Sequence, residues 1–218
     1  MKIVINSHIN STIALNHILE SLKENDINYC DVIVVIGGYY NLDNYEIIFT
    51  NENITYIHVN HNSIDFTGLI TLAELFKDDI NEYYVYLHDT CKIGKNFYNK
   101  LKAIDLTNIS SIRINKTSSM NIGIYSQNII NKFEKFLLSK KNTDPNKCLE
   151  FKSVNFNEDY IFDNDPNNKV LDNHNCWNYT GPTDYYNTGT MRIVEYYNNL
   201  DLYKIKANWG HGKWTLNN

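Results

Sequence analysis

The chain has 218 residues, with 20 Lys+Arg against 25 Asp+Glu and a formal net charge of -5. That length suits one compact domain, or a domain with a small appendage, and is enough to bury a core. The acidic balance argues against a protein that grips nucleic acid through a basic face, and no apolar run approaches the roughly 20 residues needed to span a bilayer.

Lys2 to Asn6 reads as a short buried strand, too short for a secretory h-region. Ser11-Thr12 offers an N-cap to a helix carrying Ile13, Leu15, Ile18, Leu19 and Leu22 at helical spacing up to Asn25. Asp31 to Ile36 is a β-branched run stopped by Gly37-Gly38, apolar on both faces as a helix-covered parallel sheet requires. Thr55 to Val59 is a third strand, followed by a helix over Phe66 to Phe76. Tyr83 to Leu87 is a fourth strand, ending abruptly in His88-Asp89-Thr90. Phe97 to Ile104 is helical, Ser111 to Ile114 a strand, and Ser126 to Ser139 one helix with Ile129, Ile130, Phe133, Phe136 and Leu137.

Strand and helix thus alternate over residues 1–140, which predicts an α/β fold with a mainly parallel central sheet flanked by helices, Rossmann-like in type. From about Asn142 to Thr190 the pattern fails; the stretch holds all three prolines and reads as long loops with short elements. A last strand, Leu202 to Lys206, leads into Asn208 to Trp214. One domain is expected, with residues 1–140 as the core and 141–218 as a loop-rich closing region.

The cysteines Cys30, Cys91, Cys148 and Cys176 are scattered without a C-x-x-C pair, so neither a disulfide scaffold nor a zinc ribbon is expected. N-x-S/T sequons begin at Asn10, Asn53, Asn108, Asn115 and Asn178, and the abundance of Asn accounts for them. The expected location is cytoplasmic, the host cytoplasm or the virion if the gene is viral.

Ligands of parallel sheets lie beyond the carboxyl ends of the strands. The residues to read there are Asn6-Ser7-His8, Gly37-Gly38, Asn60 to Asp65 and His88-Asp89-Thr90. Asp89 either holds a hard divalent cation at the sheet rim or caps the helix after Lys95 or a turn. In Gly210-His211-Gly212-Lys213-Trp214, His211 is suited to a transition metal such as Mn2+ and Lys213 to a phosphate; the alternative is a terminus anchored by Trp209 and Trp214. Asp65 either caps the helix that follows or accepts hydrogen bonds from a base or ribose hydroxyl. Glu158-Asp159 is either a solvated pair or brings Asp159 to the site as a general base. The tyrosines of residues 179–186 either pack or stack on an acceptor sugar.

Three stretches carry a resemblance to a known family: Asn62-Ser63-Ile64-Asp65-Phe66, Tyr84-Val85-Tyr86-Leu87-His88-Asp89-Thr90-Cys91, and the aromatic after Gly94. They are similar to nucleotide-sugar glycosyltransferases of the GT-A fold, in the branch of rhamnan-synthesis and related viral or bacterial polysaccharide enzymes. The resemblance covers about residues 1–130. It implies that His88-Asp89-Thr90 stands where the family keeps its Asp-x-Asp metal motif, with Asp89 the surviving carboxylate. It also implies nucleoside contacts from Asp65 and the Asn6-Ser7 turn. His211-Gly212-Lys213-Trp214 is similar to the ending of retaining members, where His completes the metal site and Lys holds diphosphate. Glu158-Asp159 resembles the acidic pair of inverting members, so the stereochemical outcome stays open.

The expected activity is metal-dependent transfer of a sugar from a uridine-linked nucleoside diphosphate donor to a glycan or other hydroxyl acceptor. The candidate residues are Asp159 and Glu158 for catalysis, Asn6, Ser7, Gly37, Asp65, His88 and Lys213 for the donor, and Asp89 and His211 for Mn2+ or Mg2+. The rival is a non-catalytic nucleotide- or glycan-binding relative, favoured by the missing carboxylates at His88 and Thr90.

Overall fold

The computed structural model describes residues 1–25, 32–50, 54–117, 119–147, 157–178 and 192–207. Their contacts divide them into two compact units built from interleaved segments. Among the described residues, no helix is long and apolar enough to cross a membrane.

The first unit comprises the described parts of residues 1–10, 28–88 and 106–171. It contains β1 (Lys2–His8), β2 (Val32–Gly37), β3 (Tyr45–Phe49), β4 (Thr55–Val59), β5 (Tyr83–His88), β7 (Ser111–Arg113), β8 (Gly123–Ser126) and β9 (Asn168–Val170). These strands form one sheet in the order β3-β4-β2-β1-β5-β8-β7-β9. The central run β4-β2-β1-β5 is parallel throughout. β2 and the middle of β1 are buried at every position, as their uninterrupted apolar sequence demands. β3 pairs antiparallel at the edge and β8 inserts antiparallel between β5 and β7. Neither was anticipated: β3 lies mostly exposed at the edge and β8 has only four residues.

Helices α2 (Thr67–Leu75), α4 (Gln127–Lys132) and α5 (Glu134–Ser139) cover one face of this sheet. Leu69, Ile70, Leu72 and Ala73 of α2 pack with Val4, Val35, Ile57, Tyr84 and Tyr86 in a single core cluster. The helix expected over residues 126–139 is two helices, because Phe133 departs from helical geometry (φ -100°, ψ 15°). Beyond the break, Phe136 stacks on Tyr160 with ring centroids 4.0 Å apart, a partner from α6 (Tyr160–Asn164) that helical periodicity does not reveal.

The second unit comprises the described parts of residues 11–27, 89–105 and 172–218. It holds α1 (Thr12–Lys23), α3 (Phe97–Lys102) and an antiparallel sheet in the order β10-β11-β12-β6, made of β10 (His174–Asn178), β11 (Arg192–Tyr197), β12 (Leu202–Ala207) and β6 (Cys91–Ile93). α1 packs against β6, and Ser21 Oγ accepts the Ile93 amide at 3.3 Å. Ser11 occupies the expected N-cap position of α1 without making a side-chain cap bond. β6 separates Asp89 from α3, whose N-cap is Asn96, so the helix-capping alternative for Asp89 falls away.

Candidate functional site

In the first unit, the registers of three neighbouring parallel strands bring several candidate residues to one rim. Asn6 lies opposite His88 on β5, Ser7 opposite Ile36 and His8 opposite Gly37 on β2. Asn6 reaches beyond the sheet. Its Nδ2 donates to the Ile64 carbonyl (3.0 Å) and its Oδ1 accepts the Gly68 amide (2.8 Å). One side chain thereby ties the end of β1 to the turn that enters α2.

That turn carries Asp65. Ser63 is the N-cap of the short 3-10 segment Ile64–Phe66 and Phe66 that of α2, so capping does not account for the Asp65 carboxylate. Asp65 Oδ1 stands 3.6 Å from His88 Nδ1. The Asp65 carbonyl accepts from the Tyr86 hydroxyl (2.9 Å) and Asn121 Nδ2 (2.8 Å). Burial holds the Tyr86 phenol well above its ordinary value, with the Asp65 charge adding to the shift, so it stays a protonated donor. The preceding residue, Ile64, has φ 51°, a left-handed conformation that costs a β-branched side chain on the order of 1–2 kcal/mol. Two bonds hold it there: Asn6 to its carbonyl, and its own amide to Asn62 Oδ1 at 3.0 Å. Strain maintained by the surroundings is characteristic of binding segments.

Gly37 and Gly38 shape the rim through packing. A Cβ at Gly37 would sit 2.9 Å from the His61 carbonyl, and Gly38 adopts φ +99°, where a Cβ would meet the His8 ring at 2.6 Å. The Gly38 amide donates to that same His61 carbonyl (3.0 Å). The candidate position Gly37 is therefore occupied from the protein side by the residue 60–65 segment, so its glycine character is explained without a phosphate.

His61 was missed among the sequence candidates although its segment was singled out. Its ring is fully buried, with Nδ1 2.9 Å from Ser63 Oγ and Nε2 without a hydrogen-bond partner among the described residues. Burial, with a smaller contribution from the Lys141 charge, drops its pKa from 6.5 to about 3. The ring is therefore neutral at ordinary pH, and it anchors the segment that carries Asp65.

Asp159 sits elsewhere in the same unit and differs most from its expected role. It is buried and receives hydrogen bonds from Arg113 (2.9 Å), the Ser119 amide (3.0 Å), Ser119 Oγ (2.8 Å) and the Asn121 amide (3.4 Å). A carboxylate has about four lone-pair sites, and these donors account for all of them. Asp159 thus orders the segment leading to Asn121, whose side chain holds the Asp65 carbonyl. Accepting a proton from an acceptor hydroxyl would require dismantling that network. Its neighbour Glu158 is half-buried. The organising Arg113 gave no warning in the sequence, being a lone cation on a short strand.

In the second unit, Asp89 lies in the partly exposed turn between β5 and β6. The adjacent Thr90 accepts from the ammonium of Lys204, which is buried on β12. His211, Lys213 and the tyrosines of residues 179–186 lie outside the described residues. A grouping that sequence spacing did not suggest is His174, Cys176 and Glu195, on adjoining strands.

No protein-family model matches the chain, and no curated protein matches it. Among solved structures, an active-site mutant of LgtC is similar at a TM-score of 0.48 and 15% identity, covering 78% of this chain and 72% of that one. The galactosyltransferase LgtC in complex with donor and acceptor sugar analogues is similar at a TM-score of 0.46 and 13% identity, covering 78% of this chain and 73% of that one.

Proposed function

We propose that this protein is a glycosyltransferase of the GT-A type that takes a nucleoside diphosphate sugar, uridine-linked, and passes the sugar to a hydroxyl of a glycan or other acceptor. The observation that carries the reading is the gathering of Asn6, Ser7, His88 and Asp65 at the carboxyl ends of adjacent parallel strands. This is where an open α/β sheet binds its ligand, and the resemblance in sequence falls on these stretches. Asp65 offers a carboxylate to the nucleoside, while Asn6 orients the turn that presents it.

Asp89 and His211 are proposed to hold Mn2+ or Mg2+ against the diphosphate, with Lys213 neutralising charge on the departing group. An imidazole beside a carboxylate suits Mn2+, and Asp89 alone would serve Mg2+. Mg2+ is commonly held by one or two carboxylates, with waters and substrate phosphates filling the remaining positions. The bound cation would stabilise charge that builds on the leaving diphosphate. Of the pair Glu158-Asp159, Asp159 is saturated with donors, and Glu158 is proposed as the base.

Thermal shift with nucleoside diphosphates, with and without Mn2+, tests this reading. A ligand at 100 times its dissociation constant stabilises the fold by about 2.7 kcal/mol. Stabilisation by a uridine diphosphate that needs the metal, together with turnover of the sugar nucleotide, supports the transferase. A shift indifferent to metal, without turnover, replaces it with a binding module.

A further inference from the structure

We infer that His174, Cys176 and Glu195 form a binding site for a borderline-soft divalent cation, Zn2+ by chemistry, on the antiparallel sheet of the second unit. This inference stands apart from the proposed transferase site and its hard cation.

The registers build the site. Side chains two apart on a strand share a face, so His174 and Cys176 project from the same side of β10. Cys176 pairs directly across the ladder with Glu195 of β11. One ligand atom from each of the three residues lies within 4.8 Å of the others. Tetrahedral zinc with bonds of about 2.0–2.3 Å puts ligand atoms roughly 3.5 Å apart, so side-chain rotation of about an ångström closes the set.

The surroundings suit a metal as well. Asp172 Oδ1 lies 3.5 Å from His174 Nδ1, the relation in which a carboxylate orients a ligating imidazole through its other nitrogen. Glu195 is buried and accepts from the Tyr197 hydroxyl, an outer contact that steadies the carboxylate. Cys176 is exposed, leaving room for water as a fourth ligand.

A thiolate with an imidazole selects Zn2+ over Mg2+ or Ca2+, which require an oxygen shell. Binding replaces the Cys176 S–H bond by an S–Zn bond, and the proton leaves to solvent. Such an ion would fasten β10 to β11.

The test is a Co2+ titration of the metal-free full chain. The expected result is a thiolate-to-cobalt charge-transfer band that saturates at one equivalent, disappears on adding Zn2+, and is lost in Cys176→Ser. Absence of the band in the wild-type chain overturns the site. So does its survival in Cys176→Ser, which would trace it to Cys30, Cys91 or Cys148. Because that variant could fail to fold, zinc-edge X-ray absorption on the wild-type protein supplies a second reading. One sulfur among the ligands supports the assignment, and a shell of nitrogen and oxygen alone refutes it.

Discussion

Acidification should loosen this protein through His61, and the size of the effect follows from its burial. The ring has an unfolded-state pKa of 6.5 and a folded-state pKa of about 3. Below pH 6.5 the unfolded chain takes up a proton that the folded chain refuses, so folding stability falls as pH falls. The loss runs from about pH 6.5 down to about pH 3 and is absent above that window. Each pH unit inside it costs about 1.36 kcal/mol, which gives about 2 kcal/mol by pH 5 and about 5 kcal/mol by pH 3. Against a typical domain stability of roughly 5–15 kcal/mol, that is a large fraction. Urea unfolding of the wild-type chain and of His61→Gln at pH 7 and pH 5 measures it. The half-buried His8, whose pKa is also lowered by burial, contributes to both proteins and cancels in the difference. The wild type should lose about 2 kcal/mol more than the variant between the two pH values. Equal losses would mean that His61 is solvated in the folded chain and that the anchor described for residues 60–65 is wrong.

The remaining predictions concern the two networks and the rim. Asp159→Asn strands the half of Arg113 that faces it, and breaking a buried pair in this way costs about 3–5 kcal/mol; denaturant unfolding reads it, and a cost near zero would return Asp159 to the list of candidate bases. Asn6→Ala leaves the Gly68 amide and the Ile64 carbonyl without their partner and should cost about 1–3 kcal/mol, with weaker nucleotide binding by calorimetry as the turn relaxes. Tyr86→Phe removes one donor from the Asp65 carbonyl while keeping the ring, for a loss of about 1 kcal/mol in thermal unfolding. Asp89→Ala, in a partly exposed turn, should change stability by no more than about 0.5 kcal/mol while abolishing divalent-dependent turnover of the sugar nucleotide; turnover at the wild-type rate removes the role proposed for Asp89.

The parallel core was legible because its strands are long apolar runs whose burial needs no knowledge of their neighbours. β1, β2, β4 and β5 and the helix after Asp65 follow from local periodicity, and so does the expectation that polar residues at the strand ends meet at one rim. β3, β6, β8 and β11 were not legible. β6 and β8 are only three and four residues long, and β3 and β11 are held by antiparallel ladders to β4 and to β10 and β12, so no run buried on both faces marks them.

What the order of residues determined without help was the alternation of strand and helix, and with it the gathering of Asn6, Ser7 and His88, since parallel registers follow from runs that bury on both faces. Only tertiary structure decided how individual carboxylates are used. Asp65 faces His88, Asp159 is consumed by Arg113 and the Ser119–Asn121 segment, and Glu195 accepts from Tyr197 with ligand atoms of His174 and Cys176 within 4.8 Å. The physical reason is that an acid's chemistry depends on the donors surrounding it, and these donors come from segments tens of residues away, brought near by packing that no short window of sequence encodes.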